Sequence, residues 1–208
     1  GSGPIPIEEE IRRTVPVIEA LREKTTVPIS IDTYRAEVAD KSLGAGASIV
    51  NDISALRFDP HMADVVAKHN VPVVIMHIKG TPKDMQLNPA YEALLPEILD
   101  YLRESITIAE KAGIDKIIID PGIGFGKTSD HNIEIIKNLQ EFTLLERPVL
   151  IGPSRKAFLG NILGGLPVAE RLEATAAAVT ASILNGANIV RVHDVKEMSR
   201  VARVARVP

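Results

Sequence analysis

Cysteine is absent from the 208-residue chain. Disulfides, thiolate nucleophiles and sulfur-rich metal sites are thereby excluded, and a reducing, cytoplasmic setting is compatible with the composition. Tryptophan is absent too and aromatic residues make up only 3%, so the core must be built from Ile, Val, Leu and Ala. No apolar run approaches the roughly 20 residues of a membrane span, and no signal peptide is visible at the start. Positive charge is not in excess: the formal net charge is -3, which gives no support to a nucleic-acid or anionic-membrane partner. What is present is 45% hydrophobic and 25% charged residues, the range of an ordinary soluble globular protein. The length suffices for one domain with a real core. No linker divides the chain, so residues 1–208 are expected to form a single domain.

Six short apolar runs recur: Val27–Ile31, Ser48–Val50, Val71–Met76, Lys116–Ile119, Pro148–Ile151 and Asn188–Val192. Each is rich in Val and Ile and continuous rather than alternating, as strands buried on both faces are. Segments with helical spacing lie between them. Tyr91–Ala112 places Leu94, Leu95, Ile98, Leu102, Ile106 and Ala109 on one face. Ala169–Leu184 is opened by Pro167 and closed by Asn185-Gly186. Alternating buried strands and helices predict a parallel sheet with right-handed crossovers. Polar residues gather at the strand ends: Asp32-Thr33, Asn51-Asp52, His77, Asp120, Ser154-Arg155-Lys156 and Arg191-His193-Asp194. A doubly wound sheet builds its site at one switch point. Polar groups at all six ends predict instead a (β/α)8 TIM barrel, whose strand C-termini share one face. A full barrel has eight strands in about 250 residues; the chain supplies six βα units. The helix Ile7–Arg22 comes first with no strand before it, so two strands and one helix are expected to be missing from the front.

The run Asp120-Pro121-Gly122-Ile123-Gly124-Phe125-Gly126-Lys127-Thr128 invites a nucleotide reading and fails it. A P-loop needs Gly where Pro121 stands, and the dinucleotide fingerprint needs Gly-x-Gly-x-x-Gly. It reads either as a flexible turn or as a specified loop that Asp120 introduces to the site. Of the five histidines, His61, His69 and His131 read as solvated, whereas His77 and His193 end strands and can face the site. The His-x-His pair of a hydrolytic metal barrel is missing. Gly152-Pro153-Ser154-Arg155-Lys156 reads as a basic turn or as a site for an anion or carbonyl oxygen. Arg191 and His193 alternate with Val192, so both can point one way and neutralise a phosphate. A rim salt bridge to Asp194 is the alternative. The Ala-rich helix with Ala174, Ala176, Ala177, Ala178 and Ala181 reads as a face for close packing or a dimer contact.

Taken in order, Asp32-Thr33-Tyr34, Val50-Asn51-Asp52-Ile53-Ser54, Met76-His77-Ile78-Lys79-Gly80-Thr81-Pro82, the Asp120–Lys127 loop, Ser154-Arg155-Lys156 and Arg191-Val192-His193-Asp194 resemble the dihydropteroate synthases, over essentially the whole chain. The resemblance implies transfer of a pterin methylene. 6-Hydroxymethyl-7,8-dihydropterin pyrophosphate condenses with 4-aminobenzoate to 7,8-dihydropteroate, releasing pyrophosphate with Mg²⁺ present. It gives catalytic roles to Asp32, Lys156, Arg191 and His193. Substrate binding involves these four with Asn51, Met76, Asp120, Phe125, Gly152, Ser154 and Arg155. In this reading Asp120 accepts from the pterin amine and ring N–H, and Asn51 serves other ring nitrogens. Lys156 donates to the ring carbonyl, and Arg191 with His193 holds the departing pyrophosphate. Asp32 stabilises or orients the methylene, and Phe125 with the stem of Lys156 forms part of the aminobenzoate slot. The partners implied are these small molecules and a second copy in a homodimer.

Two departures from the family pattern stand out. The family's first strand and its Asn-x-Thr-x-Asp-Ser-Phe loop, with the metal-contacting Asn, have no counterpart, so no metal ligand is expected within the chain. The second strand with its Ser-Thr-Arg-Pro-Gly loop is likewise missing; Gly1-Ser2-Gly3 reads as the tail of that loop or as a cloning remnant. Ala157 stands where the family often has Ser. Two other readings compete: a pterin-binding methyltransferase barrel, which has no use for Ser154-Arg155-Lys156 or Arg191-x-His193, and a non-catalytic pterin-binding barrel fragment.

Overall fold

The computed structural model describes residues 5–207, so Gly1-Ser2-Gly3 lies outside the described residues. Helices and strands alternate in the order α1 (Ile7–Arg22), β1 (Ser30–Asp32), α2 (Ala36–Gly44), β2 (Ile49–Asp52), α3 (Met62–His69), β3 (Val73–Met76), α4 (Leu94–Lys111), β4 (Ile117–Asp120), α5 (Ser129–Lys137), β5 (Leu150–Ile151), α6 (Ala157–Ile162), α7 (Leu172–Leu184), β6 (Ile189–Val190) and α8 (Val195–Ala205). Each of the six strands is followed by a helix, as expected, and α1 precedes the first strand. No helix among the described residues is long and apolar enough to cross a membrane. The chain clusters into two compact units. One holds the described residues up to His77 with Tyr101–Ile119, the other Ile78–Asp100 with the residues from Asp120 onward.

In the first unit the strands follow the order β1-β2-β3-β4. The β1–β2 and β2–β3 pairs are parallel, with Asp32 opposite Asn51 and Asp52 opposite Ile75. Parallel neighbours cannot be joined by a tight turn, and α2 and α3 supply the crossovers. Val50, Val73 and Ile75 are fully buried, as are Val38 and Ala39 of α2 and Met62 and Val66 of α3. Burying each large side chain contributes roughly 1.5–3 kcal/mol. Strand β1 is displaced from the expected Val27–Ile31. Pro28 has no N–H to give a ladder, Val27 bonds back to Thr25 Oγ1 at 3.1 Å and stays 64% exposed, and pairing begins only at Ser30.

In the second unit β5 and β6 pair in parallel, Leu150 with Ile189 and Ile151 with Val190. Ile123, Ile135, Leu139, Phe142 and Ile151 are buried at its centre. β6 is shorter than the expected Asn188–Val192: at its start Val149 N–H donates to the Asn188 side chain at 2.8 Å while Asn188 N–H donates to Val149 O at 2.9 Å, and at its end Arg191 N–H still donates to Ile151 O at 2.9 Å. Its residues are also less buried than a continuous apolar run implies, with Ile189 37% exposed. Helix α7 starts later than expected. Pro167 opens a 3₁₀ turn over Val168–Glu170, and Arg171 ties it down by donating to Leu166 O at 2.8 Å and to Arg155 O at 2.9 Å. Helix α4 starts at Leu94 rather than Tyr91, since the Glu97 carboxylate caps the N–H groups of Glu92 and Ala93 at 2.7 and 3.0 Å.

Candidate active site

In the second unit the glycine loop after β4 is tied at almost every residue. Asp120, 8% exposed, ends β4 and accepts from Gly122 N–H at 2.7 Å. Gly124 N–H donates to Asn132 Oδ1 at 2.8 Å. Gly122, Gly124 and Gly126 have φ of 75°, 81° and 63°, a region that side chains with a Cβ seldom adopt. The loop is therefore specified rather than flexible. Burial pushes the Asp120 carboxyl up to about 6, against the lowering pull of the Gly122 hydrogen bond and the charges of Lys156, Lys127 and Arg191.

Lys127 closes the loop and is only 4% exposed. Its Nζ donates to Phe125 O at 3.0 Å. Burial pushes its ammonium down to about 7, with Asp120 opposing and Lys156 and Lys79 adding to the fall. Nothing in the sequence marks this lysine as buried, because a lysine after a glycine loop normally reaches water. Lys156 precedes α6 and lays its Nζ 4.3 Å from the centre of the Phe125 ring, a cation–π contact. A Cβ on Gly124 would meet the Lys156 stem at 3.2 Å, so the glycine lets the lysine approach.

Ser154, Lys156, Gly152, Arg191, Val192 and His193 line one cavity of about 160 Å³. The expected gathering of Arg191 and His193 holds, although both lie beyond the end of β6. The buried Ser154 hydroxyl accepts from His193 N–H at 3.2 Å and contacts His193 Nδ1 at 2.9 Å. The hydroxyl has two lone pairs and one proton; where it donates that proton to Nδ1, the neutral ring keeps its own N–H at the other nitrogen. That places the ring proton on Nε2, where it is a donor.

The expected alternative of a rim salt bridge between Arg191 and Asp194 is corrected. Asp194 takes Arg155 instead, in a two-point bridge at 2.9 and 2.5 Å. That bridge holds the Asp194 carboxyl below its ordinary range. Arg155 has φ of 56°, uncommon outside glycine, and its N–H donates to Thr175 Oγ1 at 3.0 Å. Its guanidinium is thus occupied in fixing the turn that presents Ser154 and Lys156.

In the first unit, Asp32 and Asn51 sit opposite each other at the ends of β1 and β2, so their side chains share a face. Asp32 is exposed and Asn51 half-buried. Met76 ends β3 and is 3% exposed. The fully buried Asp52 accepts from Ser54 N–H at 2.8 Å, Ser54 Oγ at 2.7 Å and Leu56 N–H at 2.8 Å. It holds a turn in which Ala55 and Leu56 have φ of 53° and 67°. Asp52→Ala is expected to lower stability by about 2 kcal/mol, because buried donors left unmade cost roughly 1–3 kcal/mol each while removal of a buried charge offsets part of it. Chemical denaturation checks it, and an unchanged midpoint would mean the turn holds itself.

The histidines divide differently from expectation. His77 is 4% exposed and stacks edge-on against Tyr101 at 4.8 Å. His69 is not simply solvated: its Nε2 lies 2.7 Å from Asp40 Oδ1. His131 is structural, completing a capping box with Thr128 at the start of α5. Among the described residues no group of three or more His, Asp or Glu side chains gathers to hold a metal ion.

The family described as pterin binding enzyme matches residues 1–193. A dihydropteroate synthase of Synechocystis sp. is 44% identical over 207 residues, covering 99% of this chain and 72% of the relative. Two solved structures superpose closely. The Yersinia pestis dihydropteroate synthase with a sulfonamide drug is 38% identical with a TM-score of 0.94, covering 98% of this chain and 74% of that one. The Xanthomonas albilineans dihydropteroate synthase with 4-aminobenzoic acid is 39% identical with a TM-score of 0.92, covering 100% and 76%. The fold class is accordingly that of the (β/α)8 TIM barrel, with six βα units among the described residues.

Proposed function

Because the chain belongs to the dihydropteroate synthases, transferases of folate biosynthesis, we propose that the groups around Asp120 and the 160 Å³ cavity bind and activate a dihydropterin pyrophosphate for attack by 4-aminobenzoate. The observation that carries the proposal is the assembly of Lys156, Arg191 and a Ser154-oriented His193 on one cavity, with a buried carboxylate that feels two of those cations. Asp120 accepts from the pterin amine and ring N–H side by side. Lys156 donates to the ring carbonyl oxygen while its stem and the Phe125 ring form a wall for the aminobenzoate. Arg191 and His193 Nε2–H take the negative charge that grows on the leaving pyrophosphate, which favours the transition state over the ground state. Gly152, carrying no side chain, leaves the cavity open. The aminobenzoate amine attacks the methylene directly, so no covalent enzyme nucleophile is needed and positioning carries the rate.

Magnesium belongs to the same proposal as a counter-ion of pyrophosphate. The described residues form no metal cluster of their own, and no step above passes through it. A cytoplasmic, homodimeric enzyme in one barrel domain completes the reading. An apolar groove of about 430 Å³ lined by Ala174, Ala177 and Ala181 of α7 with Ile133, Ile162 and Leu163 supports the dimer.

The test mixes the chain with dihydropterin pyrophosphate, 4-aminobenzoate and Mg²⁺ and follows dihydropteroate by chromatography, with calorimetry of pterin binding in parallel. Product and pterin affinity are expected. Neither product nor binding by a folded chain would sink the proposal.

A further inference from the structure

Three consecutive carbonyls around Phe125 each accept a side-chain donor. Gln86 Nε2 donates to Gly124 O at 2.7 Å, Lys127 Nζ to Phe125 O at 3.0 Å and Tyr91 Oη to Gly126 O at 2.8 Å. Two of these donors come from the segment between β3 and α4, which also presses on the loop through its backbone. A Cβ on Gly126 would stand 2.7 Å from Lys79 O. Tyr91 is itself wedged, with Lys79 Nζ 4.1 Å from its ring centre and His131 edge-on at 5.1 Å. Burial pushes its phenol up, so it stays a hydroxyl and a donor at neutral pH. The β3–α4 segment therefore grips the backbone on both sides of Phe125 while Lys127 grips its middle.

From this we infer that Gln86 and Tyr91 are positioning residues for the aminobenzoate slot, acting through the backbone of residues 124–126 to hold the Phe125 ring against Lys156. The inference rests on the assignment of Phe125 to that slot. The ring centre lies 4.3 Å from the lysine Nζ, and the three glycines would otherwise leave the loop free to swing. A wall displaced by about 1 Å weakens a shape-dependent contact without touching groups that bind elsewhere. The pterin contacts at Asp120 are fixed separately, by Gly122 N–H, and the anion contacts by Ser154. The clamp should thus act on one substrate only.

The experiment uses Tyr91→Phe, which removes one hydroxyl and keeps the ring, Gln86→Ala, and Gln86→Lys, which retains a donor. Steady-state kinetics of the full chain should show KM for 4-aminobenzoate raised about five- to tenfold in Tyr91→Phe Gln86→Ala. KM for the pterin pyrophosphate should stay within twofold and kcat within threefold, and Gln86→Lys should recover most of the Gln86→Ala change. In parallel, 4-fluorophenylalanine is incorporated and the Phe125 fluorine resonance identified by Phe125→Leu. It should shift or broaden in the double variant without any ligand. An unmoved resonance overturns the clamp, whatever the kinetics. A moved resonance with equal rises in both KM values, or with none, overturns its specificity for the aminobenzoate side. Should the parent chain neither bind nor turn over substrates, the proposed function fails by itself, and the fluorine resonance still decides whether Gln86 and Tyr91 order Phe125.

Discussion

Asp120→Asn is expected to give a chain that is more stable than its parent at pH 7 and nearly blind to pterin. The stability half follows from burial. The Asp120 carboxyl rises from an ordinary 3.8 to about 6, chiefly because its charge is taken out of water. Between those two values the folded chain holds a proton that the unfolded chain has released. Stability therefore falls as pH climbs through that window, and above pH 6 the whole penalty is present. A two-unit rise corresponds to about 3 kcal/mol at 1.36 kcal/mol per unit. Asparagine keeps the oxygen that accepts from Gly122 N–H and carries no charge, but its amide must itself be buried. A gain of about 1–3 kcal/mol at pH 7 is the expectation, raising the thermal midpoint by several degrees. The gap should close as pH falls from 6 towards 4, where the parent carboxyl is also neutral.

The binding half has the opposite sign. A carboxylate offers acceptors to both the amine and the ring N–H of a pterin, whereas an asparagine offers one acceptor and confronts the other donor with its NH₂. Hydrogen bonds to a charged group are worth roughly 1.5–3 kcal/mol, so pterin affinity should drop at least tenfold. The same carboxylate should let go of pterin as pH falls below about 6 in the parent. Thermal melts at pH 7.5 and 4.5 and calorimetry at pH 7.5 read both halves. A folded variant with parental pterin affinity would remove Asp120 from the site, and a destabilised one would contradict the burial argument.

The elements legible in the sequence were those whose signal is local. The first helix, expected at Ile7–Arg22, lies there as α1, with Glu8, Glu9 and Glu10 in its first turn. The strand-end clustering of Asp120, Ser154 and Arg191 followed from the order of apolar runs. What escaped was decided by partners distant in sequence or by backbone. Pro28 moved the start of β1, and at the start of β6 the Asn188 side chain takes the Val149 N–H. Asp194 chose between two arginines, and only the turn at Arg155, with its φ of 56°, brings the more distant one into two-point range. Lys127 was invisible because burial of a lysine is a property of the packed loop. Gln86 and Tyr91 were invisible because they bond carbonyl groups, and carbonyls carry no residue type for a motif to record. His131 was misread because its ring serves its own helix terminus.

Arg191→Ala is expected to separate two ligands that differ only in their phosphates. Arg191 and His193 share the cavity with Ser154 and Lys156, and Ser154 already fixes the His193 ring. In the proposed site, removing the guanidinium deletes donors to the pyrophosphate oxygens and leaves the Asp120 side in place. A charge-assisted contact is worth roughly 1.5–3 kcal/mol. Arg191 is exposed, which puts it at the lower end. Affinity for the dihydropterin pyrophosphate should fall about tenfold while affinity for the hydroxymethyl dihydropterin stays within twofold. Raising salt should weaken pyrophosphate binding less in the variant than in the parent, because one fewer ion contact remains to be screened. Ser154→Ala should produce a smaller loss in the same direction, since it frees the His193 ring to turn without removing it. Calorimetric titration of both ligands onto each variant, at low and moderate salt, supplies the comparison. Equal losses for the pyrophosphate and the alcohol would make Arg191 a structural residue, and the leaving group would then have to be held by other donors.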